Sequence, residues 1–507
     1  MNYTEIFKKH GFSATFPKEV TKEAQSKAIT PHDFLGRVDL TALYTITIDG
    51  EDSKDFDDAI SLEKHSTGYT LFVHIADVAH FVTKNSALDK EALHRGTSVY
   101  FPGGVLPMLP ETLSNNLCSL VPGEKRLALT AKMSLDLFGE VVKSEIFESV
   151  IINDNRMTYT QVEGLINNKK SPFVNLLSEL HTILYAKKIA RGAIEFSSRE
   201  SKITLDDKGE PVDIKTYPYG QSNSMIEEFM VLTNSVVAQK FEELGVPFVY
   251  RVHQKPSGEK LEELKEVLNI WGHRLGRDKT PHAFQRLLKK VAGTKEEKII
   301  SRVALRSMQK AVYKITPQGH FGLSLEHYCH FTSPIRRYPD LMIHRIIKSL
   351  IQSEKDSGSA KKGKSKKSHP AGKMRGLKSA AEFAARRSSE REKEAELVER
   401  DIKDIVKAKY MHRFLGEDFE GIISGVTNFG FFVELPSTCE GLVHVRDLPG
   451  GGWRFDEKRF SLKNRHKTYT FGDKVHIKVV RASENGRVDF VIHHPPAIET
   501  GKSNKKK

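Results

Sequence analysis

The sequence predicts an α+β domain followed by a small all-β barrel, and three observations carry that expectation. Strand-like apolar runs over residues 45–48, 69–76, 127–135 and 141–152 alternate with turn chemistry before the pattern turns helical from about Tyr159. Helical spacing, with apolar residues recurring at three and four, then covers 225–244, 261–271, 297–311 and 341–351. After Gly416, five short apolar runs at 419–423, 430–435, 441–445, 474–480 and 487–492 alternate with glycine turns, which fits a small closed barrel.

The chain therefore reads as an N-terminal extension over 1–40, packed on a large domain over 41–413, then a barrel over 416–494 and a solvated basic tail over 495–507. Within the large domain, residues 353–376 are so rich in Lys, Ser and Gly that they cannot bury enough apolar surface to order themselves. They are expected to form a flexible basic insertion, followed by a charged helix over 377–414.

The bulk properties narrow the class. With 38% hydrophobic and 28% charged residues the 507-residue chain can bury an enzyme core, and no apolar run approaches the ~20 residues of a membrane span. The first residues lack a signal-peptide pattern, and three scattered cysteines, Cys118, Cys329 and Cys439, suggest neither a disulfide framework nor a zinc site, so a cytoplasmic location is expected. A net charge of +14 favours polyanionic partners, nucleic acid first, although a solvated basic surface has the same composition.

The densest chemical feature is Asp49-Gly-Glu-Asp-Ser-Lys-Asp55-Phe-Asp57-Asp58, directly after an apolar strand. Crowded hard oxygen donors repel one another unless a hard cation neutralises them, and two or three carboxylates are the usual protein share of a Mg²⁺ site for phosphoryl chemistry. A solvated acidic turn is the bland alternative. A calcium loop counted from Asp49 would need glycine sixth and glutamate twelfth, where Lys54 and Ile60 stand.

A second constellation runs from His320 to His344 and contains Thr332-Ser-Pro-Ile-Arg336-Arg337-Tyr-Pro-Asp340. Thr332, Ser333 and Pro334 suggest a helix start, with Arg336 and Arg337 in its first turns offering forked donors to phosphate oxygens. Surface ion pairing with Asp340 is the alternative.

Taken together, these two stretches resemble the catalytic domain of the ribonuclease II and ribonuclease R family, in wording nearest to ribonuclease R. Supporting runs stand at 74–80, 95–110, 191–196 and 226–230. The resemblance implies a processive exoribonuclease acting from the RNA 3′ end and releasing 5′-nucleotides. Asp49, Asp55, Asp57 and Asp58 match the positions that hold two Mg²⁺ ions, and Arg336 matches the arginine beside the scissile phosphate. Tyr100 and Phe196 match aromatics that clamp terminal bases, and Glu399 matches a further site position.

Residues 416–445 are similar to the RNA-binding OB-fold of a small-subunit ribosomal protein, with Phe429, Phe431, Phe432 and His444 as the expected stacking platform. Strand alternation sends Phe431 and Phe432 to opposite faces, so about half of these aromatics should be core.

Family members usually carry cold-shock-type domains ahead of the catalytic domain, for which about 40 residues leave no room; a naturally short member and a fragment are both compatible with this. The expected protein is a monomeric exoribonuclease on single-stranded RNA, without a small-molecule cofactor. The competing readings are a non-catalytic RNA-binding protein with a degenerate nuclease domain and a phosphatase of small molecules.

Overall fold

The computed structural model describes residues 3–493 apart from 197–199, 277, 295 and 359–370. Its largest sheet contains β1 (Val38–Asp39), β2 (Ile46–Asp49), β3 (Asp58–His65), β4 (Gly68–Ala76), β5 (Lys125–Asp136), β6 (Val141–Ile152) and β7 (Asn155–Thr158), in the order β1-β6-β5-β4-β3-β2-β7. The run Gly-Tyr-Thr-Leu-Phe-Val-His-Ile-Ala of β4 is nearly all apolar rather than alternating, as a strand covered on both faces requires. It is buried at every position and stands at the centre of the seven. Neighbours from β2 through β6 pair antiparallel, while the edge strands β1 and β7 join in parallel.

The helices of ten or more residues are α1 (Tyr159–Asn168), α2 (Pro172–Ala190), α3 (Gln221–Glu243), α4 (Gly258–Ile270), α5 (Pro281–Val291), α6 (Glu297–Ser307), α7 (Tyr338–Gly358) and α8 (Ala371–His412). Thr158, the last residue of β7, caps α1 in a reciprocal pair with Gln161, so the chain leaves the sheet and enters the helix without an unsatisfied turn. Leu177, Met225, Phe229, Ile343 and Ala384, from α2, α3, α7 and α8, join the sheet residues Ile46, Leu71 and Leu129 in the principal core. Helices α4 to α6 bury Leu264, Phe284 and Ile300 in a separate core of their own.

The N-terminal residues do pack on the large domain. Phe7 and Phe12 are buried against Val398, Ile402 and Val406 of α8, and the His10 ring lies between Glu394 and Asp401 at 3.1 Å from each.

The basic insertion expected over 353–376 is corrected at both ends, since α7 continues to Gly358 and α8 begins at Ala371. Composition registers the shortage of apolar residues but not that extending a helix already nucleated and anchored is far less costly than starting one. Residues 359–370 and the basic tail over 495–507 lie outside the described residues. Strand β3, helix α5 and a three-stranded sheet of Arg454–Asp456, Ser461–Lys463 and Thr468–Thr470 were not anticipated.

The barrel closes in the order β8-β9-β10-β12-β11, from β8 (Asp418–Thr427), β9 (Gly430–Glu434), β10 (Glu440–His444), β11 (Lys474–Ala482) and β12 (Val488–Ile492). Gly430 pairs with His444 and Phe432 with Leu442, while Phe431 pairs with Val443, so period-two alternation puts Phe431 inside and Phe432 outside. Phe431 is fully buried against Tyr469 at 4.8 Å, which corrects its expected place in a stacking platform. Phe429 remains 44% exposed and meets the half-buried Phe432 edge to face at 6.3 Å.

Phe431→Ala should consequently destabilise the barrel by about 3–5 kcal/mol, the cost of emptying a packed phenylalanine site. Phe429→Ala should change stability by less than about 0.5 kcal/mol, as expected of a surface substitution. Chemical denaturation of the full chain followed by barrel tryptophan fluorescence from Trp453 separates the two.

Candidate active site

The sheet creates the site by bringing two strand ends together. β2 finishes at Asp49, its antiparallel neighbour β3 starts at Asp58, and the loop between them carries Asp55 and Asp57. That loop is tied down at several points. Arg156 donates to the carbonyls of Gly50 and Glu51, each at 2.7 Å. Ser119 accepts from the Phe56 amide at 3.0 Å and donates to the Lys54 carbonyl at 2.7 Å.

Opposite it lies the turn Thr332 to Arg337, and two carboxylates shape that turn. Asp57 Oδ1 accepts from the Ile335 amide at 2.8 Å, and Asp340 Oδ1 accepts from the Ser333 amide at 2.8 Å. Helix α7 begins only at Tyr338, so Arg336 and Arg337 precede the helix instead of occupying its first turns. The sequence Thr-Ser-Pro suggested capping, but Asp57 and Asp340 capture these amides and hold a separate turn ahead of the helix.

The run from Arg95 closes the arrangement. Ser98 donates its amide, and Thr97 its hydroxyl, to the Arg336 carbonyl at 2.9 and 3.0 Å, and Tyr338 donates its amide to the Gly96 carbonyl at 3.0 Å. Gly96 has φ +72°, and a Cβ there would stand 2.6 Å from Arg391 Cβ, so this crossing requires glycine. The hairpin of Val99–Phe101 and Gly104–Leu106 comes next and presents Tyr100.

Asp49, Asp55, Asp57, Asp58, Arg336 and Arg337 line one cavity of about 370 Å³. Burial, followed by the neighbouring carboxylates of Asp58 and Asp55, pushes the Asp49 carboxyl up to about 8. Burial likewise raises Asp58 to about 6 and pushes Asp57 well above the usual carboxylate range, against the opposing pull of Arg336. The Arg336 Nε lies 3.6 Å from Asp57 Oδ2, and its side chain is 43% exposed. Arg337 turns one end of its guanidinium onto the buried Asp340 at 2.7 Å, while its Nε is buried without a hydrogen-bond partner.

Among the described residues no three acidic, histidine or cysteine side chains close into a finished metal cage. The donor set nevertheless fits a hard cation whose remaining positions are taken by water and phosphate, as Mg²⁺ prefers. Asp49 Oδ2 and Asp57 Oδ2 are buried with no hydrogen-bond partner, and burying acceptors without a donor or a cation is costly.

The remaining expected site residues separate. Tyr100 donates its hydroxyl to Asp55 Oδ2 at 2.6 Å. Glu399, on α8, accepts from the Tyr100 amide at 3.1 Å and lies off the cavity wall. Phe196 packs against the α4 to α6 core and also lies off that wall. Phe432 and His444 share the outer face of the barrel, where His444 Nδ1 accepts from the Arg446 amide.

Residues not singled out from sequence complete the lining: Tyr159, Tyr219, Tyr328 and, from α3, Asn223, Glu227 and Asn234. The three α3 residues stand at i, i+4 and i+11, along one side of a helix of mixed polar and apolar residues.

Comparison with known proteins agrees with this geometry. Residues 37–353 match the RNB domain and residues 413–492 the S1 RNA binding domain. The chain is 39% identical to ribonuclease R 1 of Lactococcus lactis over 96% of its own length and 60% of that protein. It is 40% identical to ribonuclease R of Thermotoga maritima over 94% of its length and 68% of that protein. The chain thus spans between 60% and 68% of the length of these relatives. Mycoplasma genitalium RNase R, solved in complex with ribose methylated single-stranded RNA, superposes with a TM-score of 0.89 at 30% identity, covering 96% of this chain and 77% of that one. The chain belongs to the RNB-domain family, in the ribonuclease R group, and carries an S1 domain behind its RNB domain.

Proposed function

We propose that the protein is a 3′-to-5′ hydrolytic exoribonuclease that degrades single-stranded RNA processively to 5′-nucleoside monophosphates and a short end product. The observation that carries this reading is the pair of buried carboxylate oxygens of Asp49 and Asp57 without a hydrogen-bond partner, in a cavity shared with Arg336. The RNA bound to the Mycoplasma relative supports RNA as the substrate class. The reading takes the chain as a monomer that acts in the cytoplasm and needs no small-molecule cofactor.

Asp49, Asp55, Asp57 and Asp58 would hold Mg²⁺. Bound there, Mg²⁺ supplies Lewis acidity to the phosphate and acidifies water at neutral pH. The chain's own residues do the rest. Arg336, which donates to Ser333 Oγ at 3.1 Å and faces Asp57 at 3.6 Å, has further guanidinium N–H groups to bind a phosphoryl oxygen and offset charge that develops on it. Tyr100, 41% exposed as a residue, offers a ring to stack on a terminal base. Phe429, Phe432 and His444 give the barrel an outer face on which single-stranded bases stack.

Asp57→Asn should reduce turnover by more than about 100-fold, beyond the loss typical of removing an outer-sphere partner of a metal. Its oxygen can still accept from the Ile335 amide, so the fold and RNA affinity should hold. Turnover of end-labelled RNA beside a gel-shift titration checks both, and loss of both together would assign Asp57 a folding role.

The raised carboxyls also predict a pH dependence. A carboxyl whose folded value lies above its unfolded value, about 3.9, contributes full stability below that value and loses it as pH rises through the folded value. For Asp49 that window closes near pH 8, and ionised carboxylates are the metal-binding form. Mg²⁺ should therefore raise Tm more at pH 8.5 than at pH 6, measured against EDTA by thermal unfolding. An equal rise at both values would contradict cation binding at these aspartates.

A further inference from the structure

Tyr100 makes two contacts that join elements far apart in the chain. Its amide donates to Glu399 of α8 at 3.1 Å, and its hydroxyl donates to Asp55 Oδ2 at 2.6 Å. Asp55 stands in the loop between β2 and β3, so the contact spans 45 residues of sequence, and that to Glu399 spans 299. A long helix is thereby connected, through a single aromatic residue, to one of the four carboxylates. Asp49 ends a strand, Asp58 begins one and Asp57 is fixed by the Ile335 amide, whereas Asp55 has Tyr100 as its hydrogen-bond partner.

The side chain is divided in character. The residue is 41% exposed, while its hydroxyl is held on Asp55 Oδ2 at 2.6 Å as a donor. A carboxylate that ligates a cation is usually oriented by a donor of this kind, and losing such a donor costs 10–100-fold in metal affinity. The rest of this partly exposed residue is the part available to a base.

We propose that Tyr100 is a positioning residue that couples the two halves of the site: its hydroxyl orients Asp55 toward the cation while its ring receives the terminal base, with Glu399 fixing the hairpin between them. This rests on the exoribonuclease reading above and adds to it a linkage. A base stacked on the ring fixes the hydroxyl and with it Asp55, so RNA and Mg²⁺ each strengthen the binding of the other by one common factor.

Calorimetric Mg²⁺ titration of the full chain, with and without a saturating ribose-methylated hexanucleotide, tests this alongside Tyr100→Phe, Glu399→Ala and the double variant. In wild type the hexanucleotide should tighten Mg²⁺ binding by about tenfold. Tyr100→Phe keeps the ring and should hold the hexanucleotide in EDTA as wild type does, but bind Mg²⁺ roughly 10–100-fold more weakly and lose the RNA-dependent tightening. Glu399→Ala should act in the same direction, and the double variant should be no weaker than Tyr100→Phe, because both changes break one relay.

Wild-type Mg²⁺ affinity in Tyr100→Phe, or effects of the two substitutions that multiply, would overturn the coupling. Wild type that binds Mg²⁺ but leaves RNA intact would instead overturn the exoribonuclease reading, while the same titrations still decide the role of Tyr100. Wild type that binds no Mg²⁺ would overturn both.

Discussion

The structure around the site depends on burying carboxylates that have too few donors. Four aspartates line one cavity, and the ionised forms of Asp49, Asp57 and Asp58 are disfavoured chiefly by burial. Such a cluster survives folding only if its surroundings supply compensating groups. The Ile335 amide meets Asp57 and the Arg336 side chain approaches it, and the turn that carries them is completed by Asp340 and the Gly96 to Ser98 backbone. The demand for donors at the aspartates therefore determines the path of residues nearly three hundred positions away.

Helix α8 carries that order outward. Ala384 and Ala385 enter the principal core, Val398 and Ile402 pack against Phe7 and Phe12, and Ala408 and Met411 enter the barrel core. Arg391 on the same helix donates to the carbonyls of His10, Gly11 and Arg95. The N-terminal segment, the Tyr100 hairpin and the S1 barrel are thus referred to one rigid element, and Glu399 lies on it between the contacts to the first and the last.

Much of the fold was legible because its signals are local. The run of β4, the period of the long helices and the five barrel strands each follow from a pattern within a single segment, and all appear near their expected bounds. The aspartate cluster was legible for the same reason, as acidic residues directly after an apolar strand. What escaped depends on distant partners. The turn holding Arg336 ahead of α7 follows from Asp57, far off in sequence, and Glu399 acquires its contact through the Tyr100 amide. Phe431 and Phe432 look alike in sequence and differ only by the parity of a strand whose register the closed barrel fixes. The cavity-facing residues of α3 were not distinguishable because other polar residues of the same helix, such as Ser222, Ser224 and Glu228, are buried elsewhere.

Hydrolysis of RNA from its 3′ end in this cavity, with a divalent cation, is tested most directly by a time course on a 5′-labelled single-stranded RNA. The products are resolved on a sequencing gel in Mg²⁺ and in EDTA. Full-length label should convert to one short oligonucleotide in Mg²⁺, with mononucleotides released and no change in EDTA. Internal fragments, or equal degradation in EDTA, would contradict that chemistry.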